Sequence, residues 1–200
     1  SLGAKSINEA VIKNWEKIIS DEKIKLFWGT GKDNFEEDTY RMKNFGNSVV
    51  KPYFNNVADI MSASDLVICR AGASTISELI QLEKPSILIP YDFVGQKENA
   101  DVLEYVNGAK IFTNETADKA VEEALTLVKQ DEMLEFMKEN IIKLKDYYSS
   151  KEFLENFIYE GNDLGVSCNE RKTTFRLWSP NADSICLNLY KTGDANKPYK

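Results

Sequence analysis

Five short apolar runs, each separated from the next by a segment of helical or turn-like texture, restrict the fold of this chain more than any other feature. The runs lie at 24–28, 48–50, 66–69, 86–89 and 109–112. Ahead of the first, Ile7, Ala10, Val11, Trp15, Ile18 and Ile19 recur at helical spacing across 6–20. Further helical segments are expected at 33–44, 57–63, 75–81, 96–106, 116–129 and 131–146. Short apolar strands joined through helices make a parallel sheet covered on both faces. The expected fold class is therefore α/β, a Rossmann-like parallel sheet with helices on both faces, over residues 1–148. Ligands of such sheets bind outside the carboxyl ends of the strands, where helix N-termini point. The loops 1–5, 52–56, 70–75 and 91–96 occupy that rim.

One of these loops has a composition suited to an anion. In CRAGASTISELI, residues 69–80, a strand passes through Arg70 into small residues and then into a helix. Gly72 and Ala73 allow a phosphate or sugar to approach the backbone, Arg70 adds a charge, and the helix N-terminus offers free N–H groups and its positive dipole end. Thr75-x-x-Glu78 also has the form of a capping box, which needs no ligand. The local pattern supports both readings.

Composition removes several functions. A net charge of −7 argues against a nucleic-acid or anionic-membrane surface. No apolar stretch approaches the roughly 20 residues that cross a bilayer. The 3 cysteines are far apart, which fits a reducing compartment without a disulfide framework, and no zinc-ligand spacing is present. Histidine is absent, so no Ser-His or Cys-His nucleophile pair and no imidazole base can form. Neither a cofactor nor a metal is expected. Trp15 and Trp28 read as core residues.

SLGA, ASDLVICRAGASTISEL, KPSILIPY and QKENA followed by GA occur in one order. In that order they resemble the C-terminal half of the MurG family of bacterial peptidoglycan N-acetylglucosaminyltransferases, over residues 1–148. The resemblance implies the GT-B fold, two Rossmann-like domains around a cleft, with this half holding UDP-N-acetylglucosamine (UDP-GlcNAc). The family transfers N-acetylglucosamine to lipid I, giving lipid II, at the cytoplasmic face of the inner membrane and without insertion into it. By the same resemblance, Ser1, Gly3 and Ala4 belong to a loop facing the diphosphate, and Phe54 falls where a backbone group reads the uracil. Arg70 and Gly72 open the donor loop, and Ala73, Ser74, Thr75, Ile76 and Ser77 form its helix N-terminus. Glu78 would accept from the ribose hydroxyls, and Gln96 would hydrogen-bond the sugar. The family's N-terminal domain, with its acceptor loop and candidate catalytic histidine, has no counterpart here. The chain, which opens at Ser1 without a methionine, is expected to be half an enzyme: inactive alone, with no catalytic residue of its own and lipid I as partner only in the intact enzyme. The alternatives are part of a UDP-GlcNAc 2-epimerase of the same superfamily, or a non-enzymatic carbohydrate-binding or structural module.

Beyond residue 159 the texture changes. TTFRLWSP (173–180) and SICLNLYKTGD (184–194) alternate at period two around a Pro-Asn turn. The stretch 159–194 resembles the start of the β-sandwich module of type I pullulanases, with Trp178-Ser179-Pro180 at the place of a Trp-Ala-Pro turn. The expected organisation is a nucleotide-sugar domain at 1–148, a helical linker at 149–158 and an incomplete all-β fragment at 159–200.

Overall fold

The computed structural model describes residues 4–42, 44–92, 95–179, 182 and 184–189, in two compact units, 1–147 and 148–200. The first unit runs α1 (Lys5–Lys13), α2 (Trp15–Ser20), β1 (Phe27–Gly29), α3 (Phe35–Tyr40), β2 (Val49–Lys51), α4 (Val57–Ala63) and β3 (Val67–Cys69). It continues through α5 (Ala73–Gln81), β4 (Ser86–Leu88), α6 (Gln96–Tyr105), β5 (Ala109–Ile111), α7 (Ala117–Leu127) and α8 (Asp131–Ser149).

All strand pairing in this unit is parallel, as the alternating pattern requires. Ile68 faces Ile87 across β3 and β4, and Ile87 faces Lys110 across β4 and β5. The hydrogen-bonded ladder is not one sheet but two, β1-β2 and β3-β4-β5. Both supply a common core: Trp28 and Val50 join Ile68, Ile87 and Ile89, with Ile7, Ala10 and Val11 of α1 and Ala120, Val121 and Ala124 of α7 packed among them. Strand β4 lies between its two neighbours, and every one of its residues is buried, which is why 86–89 reads as a continuous apolar run after Ser86.

The expected helix over 6–20 is interrupted at Asn14. Its side-chain amide donates to the Ala10 carbonyl at 3.1 Å, beside its own backbone N–H at 3.2 Å, and its ψ of 7° turns the chain. Helices α5 and α6 end alike, each on a non-glycine residue at positive φ, Glu83 at 57° and Asn107 at 58°. The next residue's N–H then returns to an earlier carbonyl, Lys84 to Leu79 and Gly108 to Leu103, which satisfies orphan acceptors at both helix ends. Glu83 is further held by Lys145 of α8 at 2.8 Å.

Near the rim, Asn8 is buried with every polar group of its side chain used. Its amide donates to the Thr30 carbonyl and to Asp38 Oδ2, both at 2.8 Å, and its oxygen accepts from Trp28 Nε1 at 3.2 Å. Burial raises the Asp38 carboxyl above its ordinary value; the Asn8 hydrogen bond opposes this, Glu9 and Glu37 add to it and Arg41 opposes it. A raised folded-state value means the carboxylate form costs stability. That stability is fully present below the unfolded value and is lost as pH rises through the folded one. Asp38→Asn keeps an acceptor for Asn8 and removes the charge. The variant is expected to gain thermal midpoint over the parent by more at neutral than at acidic pH; a gap that does not change with pH would refute this.

The second unit contains α9 (Lys151–Glu155) and an antiparallel hairpin of β6 (Gly165–Cys168) and β7 (Thr173–Arg176). Ser150 caps α9 by accepting from the Phe153 N–H, and Asn169 closes the hairpin turn by accepting from the N–H groups of Arg171 and Lys172. Pairing thus differs from the expected strands at 173–180 and 184–194. Residues 184–189 form no strand, and 190–194 lie outside the described residues. Trp178 stacks at 5.5 Å from Tyr159 and donates to the Phe157 carbonyl rather than opening a sandwich turn. None of this unit's described residues is buried, so they form no core among themselves.

Candidate functional site

The carboxyl ends of β3, β4 and β5 are tied together by one side chain. Arg70, immediately after β3, donates through one terminal nitrogen to the Ile89 carbonyl at 2.7 Å and to Asn114 Oδ1 at 2.8 Å. Its other terminal nitrogen donates to Ser6 Oγ at 2.8 Å, and Ser6 in turn donates to the same Asn114 oxygen at 2.8 Å. The Tyr91 ring lies 4.0 Å from the guanidinium carbon, and Nε is shut away from solvent without a partner among the described residues. Its partners are neutral, so the charge stays on the rim, but most of its donors already serve the protein.

Beyond Arg70 the chain enters α5 without a side-chain cap. Gly72 is the N-cap residue, extended at φ −65° and ψ 147°. The first helical bond runs from the Ile76 N–H to the Gly72 carbonyl at 2.9 Å, so the N–H groups of Ala73, Ser74 and Thr75 have no partner among the described residues. Among the described residues, a Cβ added at Gly72 would meet Thr75 Oγ1 alone, at 3.7 Å. Thr75 therefore sits three residues inside the helix, and the expected capping box with Glu78 does not form. The small residues at 71–73 start the helix two positions earlier than apolar periodicity alone suggests. Glu78 is exposed on the next turn, with no side-chain partner among the described residues. Ile76 points into the core and its N–H is occupied, so of the expected loop residues it has the least to offer a ligand.

Gln96 is the first residue of α6, and its side-chain oxygen accepts from the Tyr91 N–H at 3.2 Å, closing loop 91–96 on itself. Gly95 before it adopts a φ of 64°, which favours glycine. Ala4 is the extended N-cap of α1, while Ser1 and Gly3 lie outside the described residues. Phe54 is half-buried on the other sheet, against Gly29, with Lys51 Nζ 5.6 Å from its ring centre. It shares no hydrogen bond or ring contact with the Arg70 cluster among the described residues. Burial pushes the half-buried Cys69 thiol up to about 12, and the charge of Glu78 adds to the rise. No metal-ligating cluster occurs among the described residues, and no helix there is long and apolar enough to cross a membrane.

Residues 1–153 match the glycosyltransferase family 28 C-terminal domain. The chain belongs to this family. A relative from Fusobacterium nucleatum, named UDP-N-acetylglucosamine--N-acetylmuramyl-(pentapeptide) pyrophosphoryl-undecaprenol N-acetylglucosamine transferase, is 43% identical over 157 residues. That match covers 77% of this chain and 44% of the relative. A protein of the same name from Desulforamulus reducens is 32% identical over 156 residues, covering 72% of this chain and 42% of its own length. The crystal structure of MurG from Acinetobacter baumannii shares the fold, with a TM-score of 0.59 and 23% identity over 74% of this chain and 47% of that one. The chain spans less than half the length of these relatives.

The expected GT-B C-terminal architecture is thus present, and the family 28 domain contains rim residues that its sequence does not advertise. Ser6, Asn114 and Asn99 are all polar, single and remote in sequence from loop 70–75. Asn99, inside the QKENA motif, donates to the Ala71 carbonyl at 3.1 Å and pins that loop to α6. Its place in the motif next to Gln96 was the one available signal. Asn114 also reaches Asp92 at 3.5 Å, linking loop 91–96 to the turn before α7.

Proposed function

We propose that this chain is the donor-binding half of a glycosyltransferase, holding UDP-GlcNAc at the rim formed by 1–5, 54, 70–78 and 96. The observation that carries the reading is the N-terminus of α5: three N–H groups without a partner among the described residues, and the positive end of the helix dipole beside Gly72, the extended N-cap. A diphosphate supplies the acceptors and charge that this end lacks. Glu78, exposed one turn on, is placed to accept from ribose hydroxyls, and Gln96 retains its amide N–H₂ for the sugar. Ser1, Gly3 and Ala4 would meet the diphosphate from the other side. In the intact enzyme, the acceptor hydroxyl of lipid I attacks the anomeric carbon and UDP departs. This half stabilises the leaving diphosphate through the helix N-terminus and orients the donor, and the base comes from elsewhere. Lipid II synthesis by such an enzyme takes place at the cytoplasmic face of the membrane.

Titration of the whole chain with UDP-GlcNAc, UDP and UDP-glucose, by calorimetry or ligand-observed NMR, tests this. Saturable binding of UDP and UDP-GlcNAc is expected, with UDP-glucose weaker. Equal binding of UDP-glucose would remove the N-acetyl specificity, and no binding of UDP would remove the site.

A further inference from the structure

We propose that Ser6 and Asn114 are positioning residues for the donor site, acting through Arg70 to fix the start of α1 against the loop that opens α5. The inference rests on reading the rim as a UDP-sugar site. Three rim segments meet at the guanidinium. Ser6 is the second residue of α1, two positions after Ala4; Arg70 directly follows β3; Asn114 lies in the turn between β5 and α7. The three side chains form a closed ring: Arg70 donates to Ser6 Oγ and to Asn114 Oδ1, and Ser6 donates to Asn114 Oδ1, each at 2.8 Å.

A ring of this kind has one geometry. The hydroxyl of Ser6 can donate to Asn114 only while its lone pairs face Arg70, and the amide oxygen of Asn114 uses both acceptor sites. Tyr91 covers one guanidinium face, and the Ile89 carbonyl holds the nitrogen that Asn114 also binds. Removal of either the Ser6 hydroxyl or the Asn114 amide leaves the guanidinium under-held on the side of α1. Loop 70–75 and the start of α1 then lose their fixed separation. Since the diphosphate is to be gripped from both, its binding weakens although neither residue touches it. The turn carrying Asn114 is itself held by the Thr113 N–H donating to Thr116 Oγ1 at 2.9 Å, so the ring is anchored to a formed turn.

The test measures UDP affinity of the full chain well below its thermal midpoint for Ser6→Ala, Asn114→Ala, the double variant and Ser6→Thr. Each alanine variant is expected to bind UDP roughly tenfold more weakly, within the range for coupled neighbours. The double variant should be little weaker than the worse single one, because both changes break one ring. Ser6→Thr keeps the hydroxyl and should bind as the parent does. A purely structural role would lower the midpoint and leave affinity far below it unchanged. UDP binding by the parent with equal binding by the alanine variants, fully additive losses, or Ser6→Thr as weak as Ser6→Ala would each overturn the assignment. Failure of the parent to bind UDP would instead remove the donor-site reading, and this inference with it.

Discussion

Gly108→Ala is expected to lower the stability of the first unit by about 1–3 kcal/mol, the cost of a methyl group forced into a packed interior. A Cβ at this position would lie 2.6 Å from Ile141 Cγ1, 3.3 Å from its Cδ1 and 3.4 Å from Leu103 Cδ2. Ile141 is fully buried on α8 and Leu103 fully buried on α6, so neither can swing into solvent. The backbone cannot yield easily either. The Gly108 N–H closes the α6 end on the Leu103 carbonyl at 2.8 Å, and its own carbonyl accepts from Ser86 at the foot of β4. Ile141→Ala alone should cost about 2–5 kcal/mol through the cavity it leaves. In Gly108→Ala/Ile141→Ala the new methyl enters that cavity, and the offending Cγ1 is gone. Denaturant unfolding of the four proteins should therefore show a double variant markedly more stable than the sum of the single losses predicts. Strict additivity would mean that the close approach of α8 to the start of β5 is not what makes glycine necessary there.

The strands were legible as short apolar runs between helical segments; β4, buried at every residue, was the plainest, while β1 and β2 carry exposed positions. Helix α4 was equally plain from Val57 to Ala63. What escaped the sequence was where the backbone breaks a helix or begins one. Nothing in the periodicity of 6–20 reveals that Asn14, whose side-chain amide joins its own N–H on the Ala10 carbonyl, turns the chain and splits the helix. The start of α5 was misplaced for a related reason. Thr75-x-x-Glu78 has the spacing of a capping box, but an extended Gly72 begins the helix at Ala73 and leaves Thr75 inside it. At the rim, loop 70–75 was visible as a contiguous motif, whereas Arg70's partners lie 64 and 44 residues away and are single polar side chains. Only the fold brings them together. In the second unit, alternation at 184–189 suggested a strand, while the hairpin uses Gly165–Cys168, which carries little apolar signal. With no core to reward alternation, turn chemistry at Asn169 decided the pairing.

Glu78→Gln is expected to weaken UDP binding about 10- to 150-fold, corresponding to loss of one charge-assisted hydrogen bond worth roughly 1.5–3 kcal/mol. A carboxylate accepts from two ribose hydroxyls at once, whereas glutamine turns one acceptor into an N–H₂ that faces a donor. The helix itself has no use for this carboxylate. Its N-cap is Gly72, Thr75 is interior, and Glu78 has no side-chain partner among the described residues, so the thermal midpoint should barely move. The combination of unchanged stability and lost affinity is what separates a ligand contact from a capping role. A ligand-side cycle locates the contact. 2′-Deoxy-UDP lacks one of the two hydroxyls, so it should bind the parent more weakly than UDP does, and Glu78→Gln should cost it less than it costs UDP. Equal losses for UDP and its deoxy analogue would place Glu78 away from the ribose. Unchanged UDP affinity would leave it an ordinary solvated residue of α5.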